Sequence, residues 1–180
     1  PVTVTLAVFA VLTSLAIGLP IGILSAVKQY SAADIISTVT AMLLAAIPEF
    51  WLGLMLMLLF GIKLQILPIF GAETAANFIL PVITLALPTS AVILRLTRAT
   101  MLETIRQDYI RTARAKGARE KTIILRHALK NALLPIITVV GNYFGALLGG
   151  TIMIEIIYNM PGLGMLIYNS IRAKDVPQVM

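Results

Sequence analysis

Ten of the fourteen basic residues of this chain fall in one stretch: Arg95, Arg98, Arg106, Arg111, Arg114, Lys116, Arg119, Lys121, Arg126 and Lys130. Only Glu103, Asp108 and Glu120 oppose them there. Such a stretch can attract anions, dock an acidic partner, or hold a loop on one side of a membrane. It is poorly equipped to break bonds. The chain has no cysteine and one histidine, His127, so thiolate nucleophiles, disulfides and multi-histidine metal sites are excluded. No carboxylate stands at a useful spacing to orient His127 as a base, and it reads as part of a packing or docking helix. No Gly-Lys dipeptide occurs, so there is no G-x-x-x-x-G-K-[S/T] phosphate loop, and this chain is not the site of ATP hydrolysis. Two further carboxylates, Glu49 and Glu155, sit in otherwise uncharged apolar runs. A charge there is costly and must face protein, water or an interface. Glu49 follows Pro48, whose missing N–H kinks a helix. It fits either the lining of a path or an interhelical pairing. Glu155, near the end of its run, reads as a structural cap or gate contact.

The elements that position these residues must be membrane helices. The chain is 59% hydrophobic and 12% charged, with mean hydropathy +0.96, against about a quarter charged in soluble domains. A bilayer core of roughly 30 Å takes about 20 apolar residues in a helix. Val2–Val27 and residues 35–62, 78–94 and 133–158 meet or approach that. The runs are continuous rather than alternating, which predicts an all-α integral membrane bundle with four spans. Between them lie residues 28–34, 63–77 and 95–130. Cytoplasmic loops are enriched in Lys and Arg, which places 95–130 in the cytoplasm. Parity then puts 28–34 inside, and 63–77 with everything after 158 outside. No signal peptide is recognisable. The chain opens at Pro1 inside an apolar run and stops soon after Asp175-Val176-Pro177, so a fragment is expected. Gly141, Gly145 and Gly149 recur every fourth residue, a spacing that lets helices approach closely or line a path.

Within the basic stretch, residues 103–116 are rich in good helix formers, with Ile105, Tyr109 and Thr112/Ala113 as a modest apolar stripe. Gly117 follows where a helix often ends in the left-handed region. A second helix is expected from Glu120, with Ile123, Ile124 and His127 on one side. Three uses remain open: a solvated loop that only sets topology, a surface for anionic lipid or nucleic acid, and a docking knob for a cytoplasmic partner.

The wording of this stretch carries a resemblance. Arg111-Thr-Ala-Arg-Ala-Lys-Gly117 and Arg126-His-Ala-Leu-Lys-Asn-Ala-Leu-Leu-Pro135 resemble the cytoplasmic "EAA" loop of ABC importer permeases, and within them the dipeptide/oligopeptide/nickel branch. Against the general pattern of E-A-A, three residues, Gly, nine residues and I-x-L-P, only Ala113, Gly117 and Leu129 match. The departures follow the branch's own wording. Gly18-Leu-Pro-Ile-Gly22, and Glu155-Ile-Ile-Tyr-Asn-Met-Pro-Gly-Leu-Gly164, are similar to two further segments of that branch, so the resemblance covers essentially the whole chain.

The resemblance implies one permease domain over 1–180 with a cytoplasmic coupling segment at 95–130, in a multi-pass protein of the bacterial or archaeal cytoplasmic membrane. Four of the family's six spans would be present, and 163–180 would be an outer loop leading to an absent final helix. It also implies that Asp108, Tyr109, Ile110, Arg111, Ala113, Arg114, Ala115, Lys116, Gly117 and Ala118 seat in a groove of an ATPase subunit, with Tyr109, Ile110 and Ala115 giving most of the affinity. The implied partners are two ABC ATPases, a second permease forming a heterodimer, an extracytoplasmic solute-binding protein and membrane lipid. Nucleic acid and a cofactor of the chain's own are not implied. The implied cargo is di- or oligopeptide, with nickel as the alternative. A membrane scaffold that transports nothing is the competing class.

Overall fold

The computed structural model describes residues 1–174, and every regular element among them is helical. In chain order these are α1 (Val2–Val27), α2 (Ala32–Ala46), α3 (Glu49–Leu56), α4 (Ile79–Ile105), α5 (Asp108–Ala115), α6 (Glu120–Thr122), α7 (Leu129–Gly150), α8 (Ile152–Ile157) and α9 (Leu163–Ala173). A π-helical Met57–Lys63 extends α3, a 3-10 turn at Ala75–Phe78 leads into α4, and a π-helical Ile123–Ala128 joins α6 to α7. Among the described residues, three runs are long and apolar enough to cross a membrane: Val2–Val27, Ala75–Ile105 and Glu120–Gly149.

Five of the expected elements differ. Residues 35–62 are not one kinked span: Ala32–Ala46 and Glu49–Lys63 meet at 98°. Pro48 cannot donate to a preceding turn and drives Ile47 out of the helical region, so the chain breaks instead of bending. The expected four spans therefore hold only if this bent pair counts as one. The third run does not stop at residue 94, because α4 continues through Arg95 and Arg98 to Ile105. The helix expected over 103–116 is interrupted at Gln107, which is extended (φ −69°, ψ 150°). The last run breaks at Thr151, between α7 and α8. Residues 163–173 form α9 where a loop was expected. Positions 175–180 of that loop lie outside the described residues.

The chain divides into two compact units. One comprises Pro1–Thr13, Ala46–Pro88 and the chain from Tyr143. Its core holds Leu6, Leu80, Leu85, Ile154, Tyr158 and Met160, all buried. The Tyr158 hydroxyl donates to the Gly53 carbonyl (3.0 Å) and lies 3.0 Å from the Thr84 hydroxyl, tying α3, α4 and the end of α8 at one point. The backbone N–H of Gly71, at φ +89°, donates to the Tyr158 carbonyl (3.1 Å) and fastens the loop before α4.

The second unit comprises Ser14–Ala45 and Thr89–Asn142. Here Gly18 and Gly22 let α1 lie directly against α4. A Cβ on Gly18 would stand 2.6 Å from the Ser90 carbonyl oxygen, and one on Gly22 would stand 2.7 Å from Thr97 Cβ and 2.8 Å from the Leu94 carbonyl oxygen. The two carbonyl oxygens are backbone atoms that cannot swing away. The α7 glycines differ: nothing lies within 4 Å of a Cβ built on Gly141, Gly145 or Gly149. Within the described residues the α7 stripe is thus unpacked, and the close helix contact is made by Gly18 and Gly22. Gly22→Ala is expected to destabilise the detergent-solubilised protein by about 1–3 kcal/mol through overpacking, whereas Gly141→Ala stays within about 0.5 kcal/mol. Thermal unfolding of the two variants side by side checks this.

Candidate functional site

The basic stretch forms a hairpin. Gln107 ends the preceding helix, and its carbonyl accepts the Ile110 N–H (3.1 Å) to start α5. At the other end Gly117 takes φ +79°. Its N–H donates to Arg114 (2.9 Å) and that of Ala118 to Ala113 (3.2 Å), the paired bonds of a Schellman turn. An L-residue resists this conformation, so the backbone favours glycine at 117. The chain re-enters helix at Glu120, as the sequence predicts, with Ile123 buried and Ile124 and His127 half-buried.

Two kinds of contact hold the hairpin together. Ile110 is fully buried with Ala26, Met101, Ile123, Ala128 and Ala132, so α5 is seated on α1, α4 and the helical run that follows it. Tyr109 and Arg114 add polar ties. The Asn131 amide donates to the Tyr109 hydroxyl at 2.7 Å. The Arg114 guanidinium grips Glu120 through Nη2 (2.6 Å) and Nε (3.1 Å), across the turn. That hydrogen bond raises the Arg114 pKa further above its ordinary value. Both partners are exposed, so the pair adds at most about 1 kcal/mol.

The residues expected to meet a partner divide accordingly. Asp108, Tyr109, Arg111, Arg114, Ala115, Lys116 and Gly117 are exposed, while Ala113 and Ala118 are half-buried against the hairpin core. Ile110 is turned inward, so it anchors α5 rather than offering apolar contact to a partner. The expected stripe of Ile105, Tyr109 and Thr112/Ala113 holds in part: Ile105 and Ala113 pack on the hairpin core, but the break at Gln107 resets the helical phase, so Ile110 takes the inner face while Tyr109 and Thr112 are exposed. Asp108 and Arg111 form a loose surface pair at 3.7 Å. The outer face thus carries Arg111, Lys116, Arg119 and Lys121, with open space above Gly117.

The two membrane carboxylates are placed very differently. Glu49 lies in the first turn of α3, exposed on this chain, with no hydrogen-bond or ion-pair partner among the described residues. It is available to a neighbour or to a path. Glu155 is fully buried. Its carboxylate accepts from the Thr3 hydroxyl (2.6 Å), the Thr151 hydroxyl (2.9 Å) and the Met165 N–H (3.0 Å). Thr3 in turn accepts from the Leu163 N–H at 2.8 Å. Glu155 therefore caps α9 and ties it to the start of α1, among groups that satisfy a buried carboxylate. Gly162 must be glycine for this reason, because a Cβ there would fall on the Glu155 carboxylate. The Pro-Gly-Leu-Gly segment is the shape of that cap.

A further polar site escaped the sequence reading. Asp34 is buried and paired with Arg98, Nε to Oδ1 at 2.6 Å and Nη2 to Oδ2 at 2.8 Å. Its available signal was a carboxylate opening an apolar run, a position that demands a partner.

Residues 18–180 match the model of a family described as binding-protein-dependent transport system inner membrane component. The glutathione transport system permease protein GsiC of Pectobacterium atrosepticum is 44% identical over 90% of this chain and 53% of its own length. Its namesake in Escherichia coli strain K12 is 40% identical over 98% of this chain and 56% of its own. The chain thus spans about half the length of these curated relatives. Among solved structures, a chain of the MetNI methionine ABC transporter in inward-facing conformations superposes with TM-score 0.76, at 21% identity, over 98% of this chain and 81% of that one. That likeness is one of fold.

The Glu155 cap gives a sharp test. Gly162→Ala is expected to destabilise the protein when Glu155 is present and to do little beside Glu155→Ala, a coupling of about 0.5–3 kcal/mol. A double-mutant cycle read by thermal unfolding measures it, and simple additivity would contradict the assigned packing.

Proposed function

Because the chain belongs to the family of binding-protein-dependent transport system inner membrane components, we propose that it is the coupling portion of an ABC importer permease, moving a small peptide across the cytoplasmic membrane. ATP is hydrolysed on separate subunits. The hairpin built around Gly117 is the cytoplasmic handle those subunits grip. One observation carries this reading: an exposed, basic, glycine-ended helix is rooted through Ile110 in the ends of helices long enough to span a bilayer. A flexible loop would dissipate a push; a seated one passes it on.

Lys116, Arg119 and Lys121 meet acidic residues at the rim of the ATPase groove, and Tyr109 and Ala115 supply the apolar contact. A second permease subunit and an extracytoplasmic solute-binding protein complete the importer. Glu49, unpaired among the described residues, faces the translocation path between the two permeases. The relatives named as glutathione permeases favour a glutathione-sized peptide as cargo over longer peptides or nickel.

Reconstitution of the complete transporter tests the handle. Gly117→Leu is expected to lower cargo uptake about tenfold or more, since the side chain both strains the turn and fills the docking face. Gly117→Asn, which tolerates the left-handed region, retains most uptake. Normal uptake by Gly117→Leu would refute the coupling role. Lys116→Cys, in a chain without native thiols, is expected to resist a membrane-impermeant maleimide in intact cells and to react in inverted vesicles.

A further inference from the structure

The ion pair between Asp34 and Arg98 has no part in the hairpin, yet it stands one helical turn from it. Arg98 precedes Met101 by three residues on α4, and Ser25 precedes Ala26 on α1; Met101 and Ala26 are among the residues against which Ile110 packs. Asp34 collects donors from all sides. The Arg98 guanidinium grips both carboxylate oxygens, the Ser25 hydroxyl donates at 2.5 Å, and the Tyr30 N–H donates at 2.9 Å. Tyr30 reaches it because it adopts φ +63°, which folds the α1–α2 turn back over the carboxylate.

The rest of α2 is thinly held. Ala41 packs with Ala91 and Leu94, while Ile35, Ile36, Val39, Met42 and Leu43 are exposed. The polar link of α2 to α1 and α4 is therefore concentrated at Asp34, in its first turn. A bidentate, buried pair fixes direction as well as distance, which small-residue packing does not.

From this we infer that Asp34 and Arg98 are positioning residues for coupling: the pair forces α2, and through it the chain leading to Glu49, to follow α1 and α4 when the hairpin is moved. Movement enters at Ile110, passes to Ala26 and Met101, and leaves through Ser25 and Arg98 into Asp34. The inference rests on the coupling reading of the hairpin.

The test uses the complete reconstituted transporter and measures cargo moved per ATP hydrolysed, with co-purification of the ATPase as the assembly readout. Asp34→Asn is expected to assemble and hydrolyse ATP but to move about tenfold less cargo per ATP. Arg98→Lys, which keeps the charge and loses the fork, should fall between Asp34→Asn and the native protein. Unchanged cargo per ATP in an assembled Asp34→Asn complex overturns the inference. If Asp34→Asn fails to assemble, Arg98→Lys decides: reduced cargo per ATP supports the joint, and unchanged cargo per ATP overturns it. Failure of both to assemble also overturns it, because the pair would then serve folding alone. Gly117→Leu in the same assay separates the two ideas. If it uncouples while Asp34→Asn does not, only the joint is wrong; if it transports normally, the handle and the joint fall together.

Discussion

Ile110 buried among Ala26, Met101, Ile123, Ala128 and Ala132 is the contact on which the hairpin depends. An eight-residue helix such as α5 is too short to persist in water by itself. It exists because one apolar side chain is taken out of water against three other helical segments, and because the glycine turn returns the chain at once to a long helix. The charges on its outer face stabilise little. They determine what the knob can meet, while the inner face determines that there is a knob at all.

The same division between holding and meeting recurs where charges enter the apolar helices. Asp34 and Glu155 are buried and fully engaged, one by a guanidinium and one by hydroxyls and a helix N-terminus. An uncompensated carboxylate in such surroundings would be prohibitive, so each marks a place where several segments are obliged to stay together. Among the described residues Glu49 has no such company. Its cost must be met by a neighbouring subunit or by water, which separates it in kind from the other two.

Backbone breakers give the helices their articulation. Pro48 separates α2 from α3 at 98°, Gln107 separates α4 from α5, and Thr151 separates α7 from α8. By contrast Pro20, Pro88 and Pro135 are carried inside continuous helices. Tertiary packing can hold a proline-containing helix together where neighbours re-satisfy the freed carbonyl. Which prolines break and which are tolerated is thus a property of their surroundings.

Hydropathy and the clustering of Arg and Lys were enough to establish a helical membrane protein, its long apolar runs and the basic hairpin turning at Gly117. Each of these depends on short-range chemistry: the length of apolar sequence a bilayer demands, and a left-handed turn that glycine alone enters freely. Helix ends, the inward turn of Ile110, the ligands of Glu155 and the partnership of Asp34 with Arg98 were decided by the tertiary structure. Asp34 and Arg98 are 64 positions apart, and Thr3 and Glu155 are 152 apart. No local periodicity carries information over such distances, because a buried charge is satisfied by whatever the fold brings beside it.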